Sequence, residues 1–282
     1  MFDSRRYVPF RYTHACNKAG EAYLVRGVVA GDIAGLALAI GWLMPNPFLG
    51  ALGLLLMHFG LWCVYELGYV ENDRFAIRYE RGGSVRTAHE EYASHMAPEL
   101  AWACGALLSG LGLMLCVGAG ARPEIDAGSF AALLALWLGY LGAMRLVFRF
   151  YNVTEPDSRY PLYGILQVAR FAGYLLLFAI SAVGAALIAA LIVGRWFPYL
   201  VYRLGGTRWS GGIKLLTFVS LLVMLPFAFA AEPSVDALLQ ALAAVGWFAV
   251  RARREIQAYL ASWTTLRRDE DADEEEVSES SL

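Results

Sequence analysis

Glu66, Asp73 and Glu80 recur every seven residues in a polar stretch set among apolar runs, and Asn72 stands beside Asp73. On a helix seven residues are nearly two full turns, so the three carboxylates would share one face. Oxygen ligands grouped in this way suit a hard cation such as Mg²⁺, which keeps several of its waters and bridges to substrate phosphates. Asn72, Asp73 and Glu80 are therefore candidate metal ligands and catalytic residues. Glu66, within two turns of Asn72, is a candidate cavity acid. Arg86, with Arg74, Arg78 and Arg81 close by, offers guanidinium forks that match phosphate oxygens. Spacing alone leans towards a plainer explanation, a solvated loop at a membrane surface whose acids and arginines neutralise one another.

A second group is purely basic. No acidic residue occurs between Asp157 and Glu232. Within that interval the stretch 203–214 is rich in glycine and carries Arg203, Arg208 and Lys214. Together with the backbone N–H groups of its Gly-Gly turns, these bases could hold an anion. Arg145 and Arg149, one turn apart, are further candidate phosphate ligands, although anchoring a helix at lipid headgroups is the commoner use of such a pair. Asp32 lies about one turn inside the first apolar run. A carboxylate there is costly and needs a partner, either Arg26 or a base at another helix end. His58 reads as a hydrogen-bonded packing residue. His89, Glu90 and His95 do not have the HExxH zinc spacing. Cys16, Cys63, Cys104 and Cys116 show no metal or redox spacing. No nucleotide loop, nucleophile elbow or nucleic-acid module is visible, so nucleic acid is not an expected partner.

The elements that position these residues follow from composition. Of 282 residues, 58% are hydrophobic and only 17% charged, outside the usual range for a soluble domain. Apolar runs of about 18 residues or more recur, each long enough to cross ~30 Å of hydrocarbon. The sequence predicts an all-α polytopic membrane bundle of about eight spans, near 27–44, 48–70, 99–119, 128–147, 163–182, 185–203, 213–231 and 235–252. Counting two spans rather than one over 163–203 gathers the basic residues on one side. By the positive-inside rule this places both termini in the cytoplasm, with the bacterial inner membrane as the expected location. Residues 1–26 form an interfacial segment, 27–256 the membrane domain and 257–282 a tail. No signal peptide is expected, because the first 25 residues lack an apolar core. The tail holds eight acids from Asp269 onward, so the formal charge of −2 conceals 23 bases against 17 acids in the body. It reads as solvated and disordered, with docking of a protein partner as the lesser alternative. Gly27, Gly31 and Gly35 form a small-residue stripe suited to close packing within the bundle, ahead of a dimer contact.

The segment Asn72-Asp73-Arg74-Phe75-Ala76-Ile77-Arg78-Tyr79-Glu80, followed by Gly83-Ser84-Val85-Arg86-Thr87, resembles the first aspartate-rich motif of the UbiA superfamily of intramembrane polyprenyltransferases. That motif reads N-D-x-x-D-x-x-x-D, precedes a short basic stretch and closes the second span. The resemblance implies a UbiA-like helical bundle around a lipid-facing cavity, in which Mg²⁺ holds a prenyl diphosphate against an acceptor. Ala76 stands where the family has its third acid, and Glu80 where it has the fourth. The family's second acidic motif belongs after the sixth span, where this chain has its basic stretch 203–214. The family commonly has nine spans. Two metal ions on a diphosphate need carboxylates from both sides. One Mg²⁺ with an arginine cradle would neutralise the leaving group less completely. The expected function is transfer of an isoprenoid group from a polyprenyl diphosphate. The alternatives are a non-catalytic protein that binds or transports an anionic isoprenoid lipid, and a membrane scaffold working through its acidic tail.

Overall fold

A chain that cannot leave backbone N–H and C=O groups unpaired in hydrocarbon must cross it as helix. The computed structural model, which describes residues 8–17, 22–79, 89, 96–122, 125–205 and 212–279, contains no strand among them. Helix α1 (Leu24–Leu43) opens with wide π-helical turns over Leu24–Ile33 and tightens to α-helix at Ala34–Ala39. It is followed by α2 (Pro47–Tyr79), α3 (Pro98–Gly118) and α4 (Ala127–Val153). Next come the short α5 (Tyr160–Ala172), α6 (Ala182–Gly205), α7 (Ile213–Ala231) and α8 (Val235–Glu279). Among the described residues, seven helices are long and apolar enough to cross a membrane, all but α5. The protein is an integral membrane protein built as an all-α polytopic bundle.

The span expected over 163–182 is different in kind. Helix α5 has 13 residues, about 20 Å at 1.5 Å per residue, and is extended only by a 3₁₀ turn over Gly173–Leu176. It runs antiparallel to α4: Tyr151 packs on Tyr163, Tyr140 donates to the Ala169 carbonyl, and Trp137 packs on Tyr174. The helix loosens at Gly173, where a Cβ would lie 2.2 Å from the Tyr140 ring. It buries Gln167 and Arg170 on one face and exposes Ile165 and Val168 on another, and the chain beyond it reaches the far end of the bundle, where Arg122 donates to the Leu177 carbonyl (2.9 Å), so this segment crosses as a broken helix. The acidic run read as a disordered tail continues α8, which is helical to Glu279.

Glycines bring α2 and α3 together. Gly60 faces the Gly105 carbonyl and Gly53 faces the Gly112 carbonyl, each pair one heptad from the next along both helices. A Cβ on Gly112 would sit 2.5 Å from the Gly53 oxygen and 2.6 Å from the Met57 nitrogen, backbone atoms that cannot swing aside. Small residues let membrane helices approach this closely, and dispersion then supplies the attraction. Gly112→Val is expected to separate the helices at a cost of about 1–3 kcal/mol or more. A lowered midpoint of thermal aggregation in detergent checks this, with Gly139→Val, which has open space around it, as the unaffected control.

Helix α8 lies antiparallel to α1 through a ladder of polar contacts. Gln240 donates to the Leu38 carbonyl (2.7 Å), Trp247 to Ala30 (3.0 Å) and Arg251 to Arg26 (2.9 Å). The stripe in α1 packs within the bundle: Gly31 faces the guanidinium of Arg251 and Gly35 faces Leu191 of α6. The start of α1, the late turns of α2, α4 and α6, and the start of α7 are thereby gathered at one end of the bundle, the end that also carries Arg251.

Candidate functional site

At that end the helices enclose a cavity of about 660 Å³, within the usual size of a small-ligand site. One wall is aromatic. Tyr65 and Tyr69 pack edge to face (5.3 Å), Tyr163 lies against Tyr199 (4.2 Å), and the Tyr151 and Tyr199 hydroxyls are 3.1 Å apart. Such rings give an apolar body with a polar tip, and their faces attract positive charge. The lining is also cationic, with Arg170, Arg195, Lys214, Arg251 and Arg26.

Two of these cations are held by Asp32. It is fully buried in α1, and Arg170 of α5 and Arg195 of α6 each donate to one of its oxygens. His58 Nε2 is 3.3 Å from the same carboxylate, and His58 Nδ1 is 2.9 Å from the Tyr174 hydroxyl. Arg170 also stacks over Trp62, with its guanidinium 4.6 Å from the ring centre. The expected partner Arg26 meets none of this; its carbonyl accepts from Arg251. Sequence reasoning overlooked Arg170 because nothing local distinguishes it. The available signal was an arginine seven residues after Tyr163, too deep in an apolar stretch to lie idle.

Asn72 and Asp73 line the cavity from α2. Asp73 accepts a hydrogen bond from Tyr12 (2.5 Å), whose hydroxyl is also 2.5 Å from His89 Nδ1. A phenol has one proton; given to Asp73, it leaves His89 Nδ1–H to donate to the Tyr12 oxygen. Burial, and then the bond to Asp73, push the Tyr12 phenol well above its ordinary range, so it remains a donor. Asn72 Nδ2 is 3.4 Å from Asp73, while the buried Asn72 Oδ1 has no partner among the described residues.

Glu66 has a different task from the one expected. Although it shares a helix face with Asp73, it accepts from the backbone N–H groups of Phe10 (3.0 Å) and Thr13 (2.7 Å). Those bonds fasten the N-terminal segment to α2 and hold Phe10 at φ 65°, a conformation costly for a residue with a Cβ. The seven-residue spacing is thus real, but the face it defines is covered by residues 10–13. Glu66→Ala is expected to cost about 1–3 kcal/mol by stranding two buried donors. Faster limited proteolysis near the N-terminus, with the membrane core still resistant, is the expected signature.

Of the other sequence candidates, Lys214 lines the cavity and pairs with Glu255 at 3.4 Å. Arg203 does not; it donates to Tyr199 and lies 4.0 Å from Asp157. Arg145 is committed to Glu71 (2.8 Å), which also accepts from Asn152, and Arg149 is exposed away from the cavity. These are structural or surface roles, set by which way α4 and α6 face. Glu80, Arg86 and Arg208 lie outside the described residues.

Among the described residues, no cluster of three His, Cys, Asp or Glu side chains is arranged around a metal. The unpartnered Asn72 Oδ1 beside the Asp73 carboxylate nevertheless fits Mg²⁺, which takes one or two protein oxygens and fills its shell with water and phosphate. No family model matches this chain, and neither does any curated protein or solved structure.

Proposed function

We propose that this protein is a UbiA-like intramembrane prenyltransferase, which takes the head of a polyprenyl diphosphate into the cavity and moves the isoprenoid group to an acceptor. The observation that carries this reading is the convergence of Asn72 and Asp73 with Lys214 and four arginines on one cavity of a membrane bundle. The guanidinium groups would take up charge on the leaving diphosphate. The tyrosine wall keeps water from the developing carbocation and turns ring faces towards it. Asn72 and Asp73 would hold Mg²⁺, which supplies further neutralisation of the leaving group. The sequence adds Glu80, Arg86 and Arg208 to the same reading.

The cavity end also carries most of the described bases, including Arg74, Arg78, Arg145, Arg149, Arg253 and Arg254, against Arg122 at the other. That bias supports a cytoplasmic mouth and cytoplasmic termini in a bacterial inner membrane. A second reading, non-catalytic binding of an anionic isoprenoid lipid, is favoured by one observation: Asp73 is the only carboxylate among the described residues lining the cavity.

The test uses the full chain in phosphatidylcholine nanodiscs. Radiolabelled prenyl diphosphates of several lengths are supplied with Mg²⁺ and a membrane extract as the source of acceptor. Label entering a new lipid-soluble species with release of diphosphate supports transfer. Saturable binding without turnover in any extract overturns transfer and leaves the binding reading.

A further inference from the structure

Charge in the cavity lining does not balance. Lys214 has Glu255 as a partner, but Arg170, Arg195 and Arg251 have one buried carboxylate among them, Asp32. Arg251 spends its described hydrogen bond on the uncharged carbonyl of Arg26. Its two terminal nitrogens would lie 3.1 Å from a Cβ placed on Gly31, and that of Arg195 3.5 Å, so the groove left by this glycine brings like charges together. Arg170 is 2% exposed and its Nε has no partner among the described residues. Guanidinium groups stay charged, so an excess inside a bundle end must be met by an anion.

We propose that Arg170, Arg195 and Arg251 form a metal-independent clamp for a diphosphate headgroup, with Asp32 as the positioning residue that aims two of them. The clamp rests on the headgroup reading above and gives it a second half. Where a carboxylate-bearing bundle would use another cation, this chain uses arginines carried by three helices. Three guanidinium groups on separate helices gain more from a diphosphate, which adds about one negative charge and a second set of phosphoryl oxygens, than from a monophosphate of about −1.5 to −2, and gain nothing from a neutral isoprenoid.

The experiment measures equilibrium binding in EDTA, in phosphatidylcholine nanodiscs, of geranylgeranyl diphosphate, geranylgeranyl monophosphate and geranylgeraniol. The diphosphate is expected to bind at least tenfold tighter than the monophosphate. Arg251→Gln should weaken diphosphate binding about tenfold, shrink the selectivity and leave the alcohol unchanged. Asp32→Asn makes the site more positive. A mere charge effect would therefore tighten diphosphate binding, whereas loss of aim weakens it, which is the expected result. If that variant does not accumulate, Asp32→Glu is read instead, and retained selectivity overturns the positioning role. Equal affinity for both phosphates, or an unchanged Arg251→Gln, overturns the clamp. Inorganic pyrophosphate binding as tightly as the lipid would keep the clamp but replace the lipid by free diphosphate. Clamp and transfer fail separately: selective binding without turnover sinks transfer alone, and turnover with no di-over-monophosphate preference sinks the clamp alone.

Discussion

Asp32→Ala is expected to destabilise the protein by about 3–5 kcal/mol, the usual cost of breaking a buried ion pair from one side. The loss comes less from the missing contacts than from what remains: a buried guanidinium on α5 and a mostly buried one on α6, with no carboxylate between them. Yield of monodisperse protein after detergent extraction, and its thermal midpoint, should both fall sharply. The double change Asp32→Ala with Arg195→Leu should recover part of the loss, because it removes one of the stranded charges. Absence of any recovery would show that the cost lies in packing instead. Asp126→Ala offers the contrast. That exposed acid caps α4 by accepting from Ser129 N–H, which holds its carboxyl below the usual range, and its loss should cost little.

Asp73→Asn is expected to lower isoprenoid transfer by about a hundredfold or more while changing headgroup binding only slightly. The substitution is a clean one. Tyr12 can donate to an amide oxygen as it does to the carboxylate, so the N-terminal segment stays seated. What disappears is the one negative charge that the described residues bring to the cavity surface. Asn72→Ala should act in the same direction, because it removes the free Oδ1 without removing charge. Measured turnover against bound lipid separates the two effects. Full transfer in both variants would end the enzymatic reading, and equal loss of binding and turnover would turn the acids into binding groups.

Much of the fold was legible in the sequence. Charged groups are excluded from hydrocarbon, so long uncharged runs mark spans with little help from context, and seven such runs are spanning helices. The eighth crossing, over 163–182, is present but is not one continuous helix, a break that hydropathy hides because it averages over a window. Arg170 and Gln167 hardly lower the mean of 163–182, and only the packed bundle shows that their polar groups face inward and that the α-helix gives way to a 3₁₀ turn at Gly173. The α2–α3 glycines were equally present but silent, since one glycine looks like another until a second backbone is laid against it.

The site divided along the same line. Asn72, Asp73 and Lys214 stood out by type and position, and they do line one cavity. Glu66 stood out just as clearly but serves the backbone of residues 10–13. The arginines that dominate the lining are 138 and 163 residues from the aspartate they share.

Composition and hydropathy thus determined that this chain is a helical membrane protein with polar groups concentrated at helix ends, because desolvation is a property of each residue in its own stretch of chain. Which polar groups meet was decided only by the order and rotation of the packed helices. Pairing energy depends on distance and direction between elements that are remote in sequence, and no local pattern encodes either.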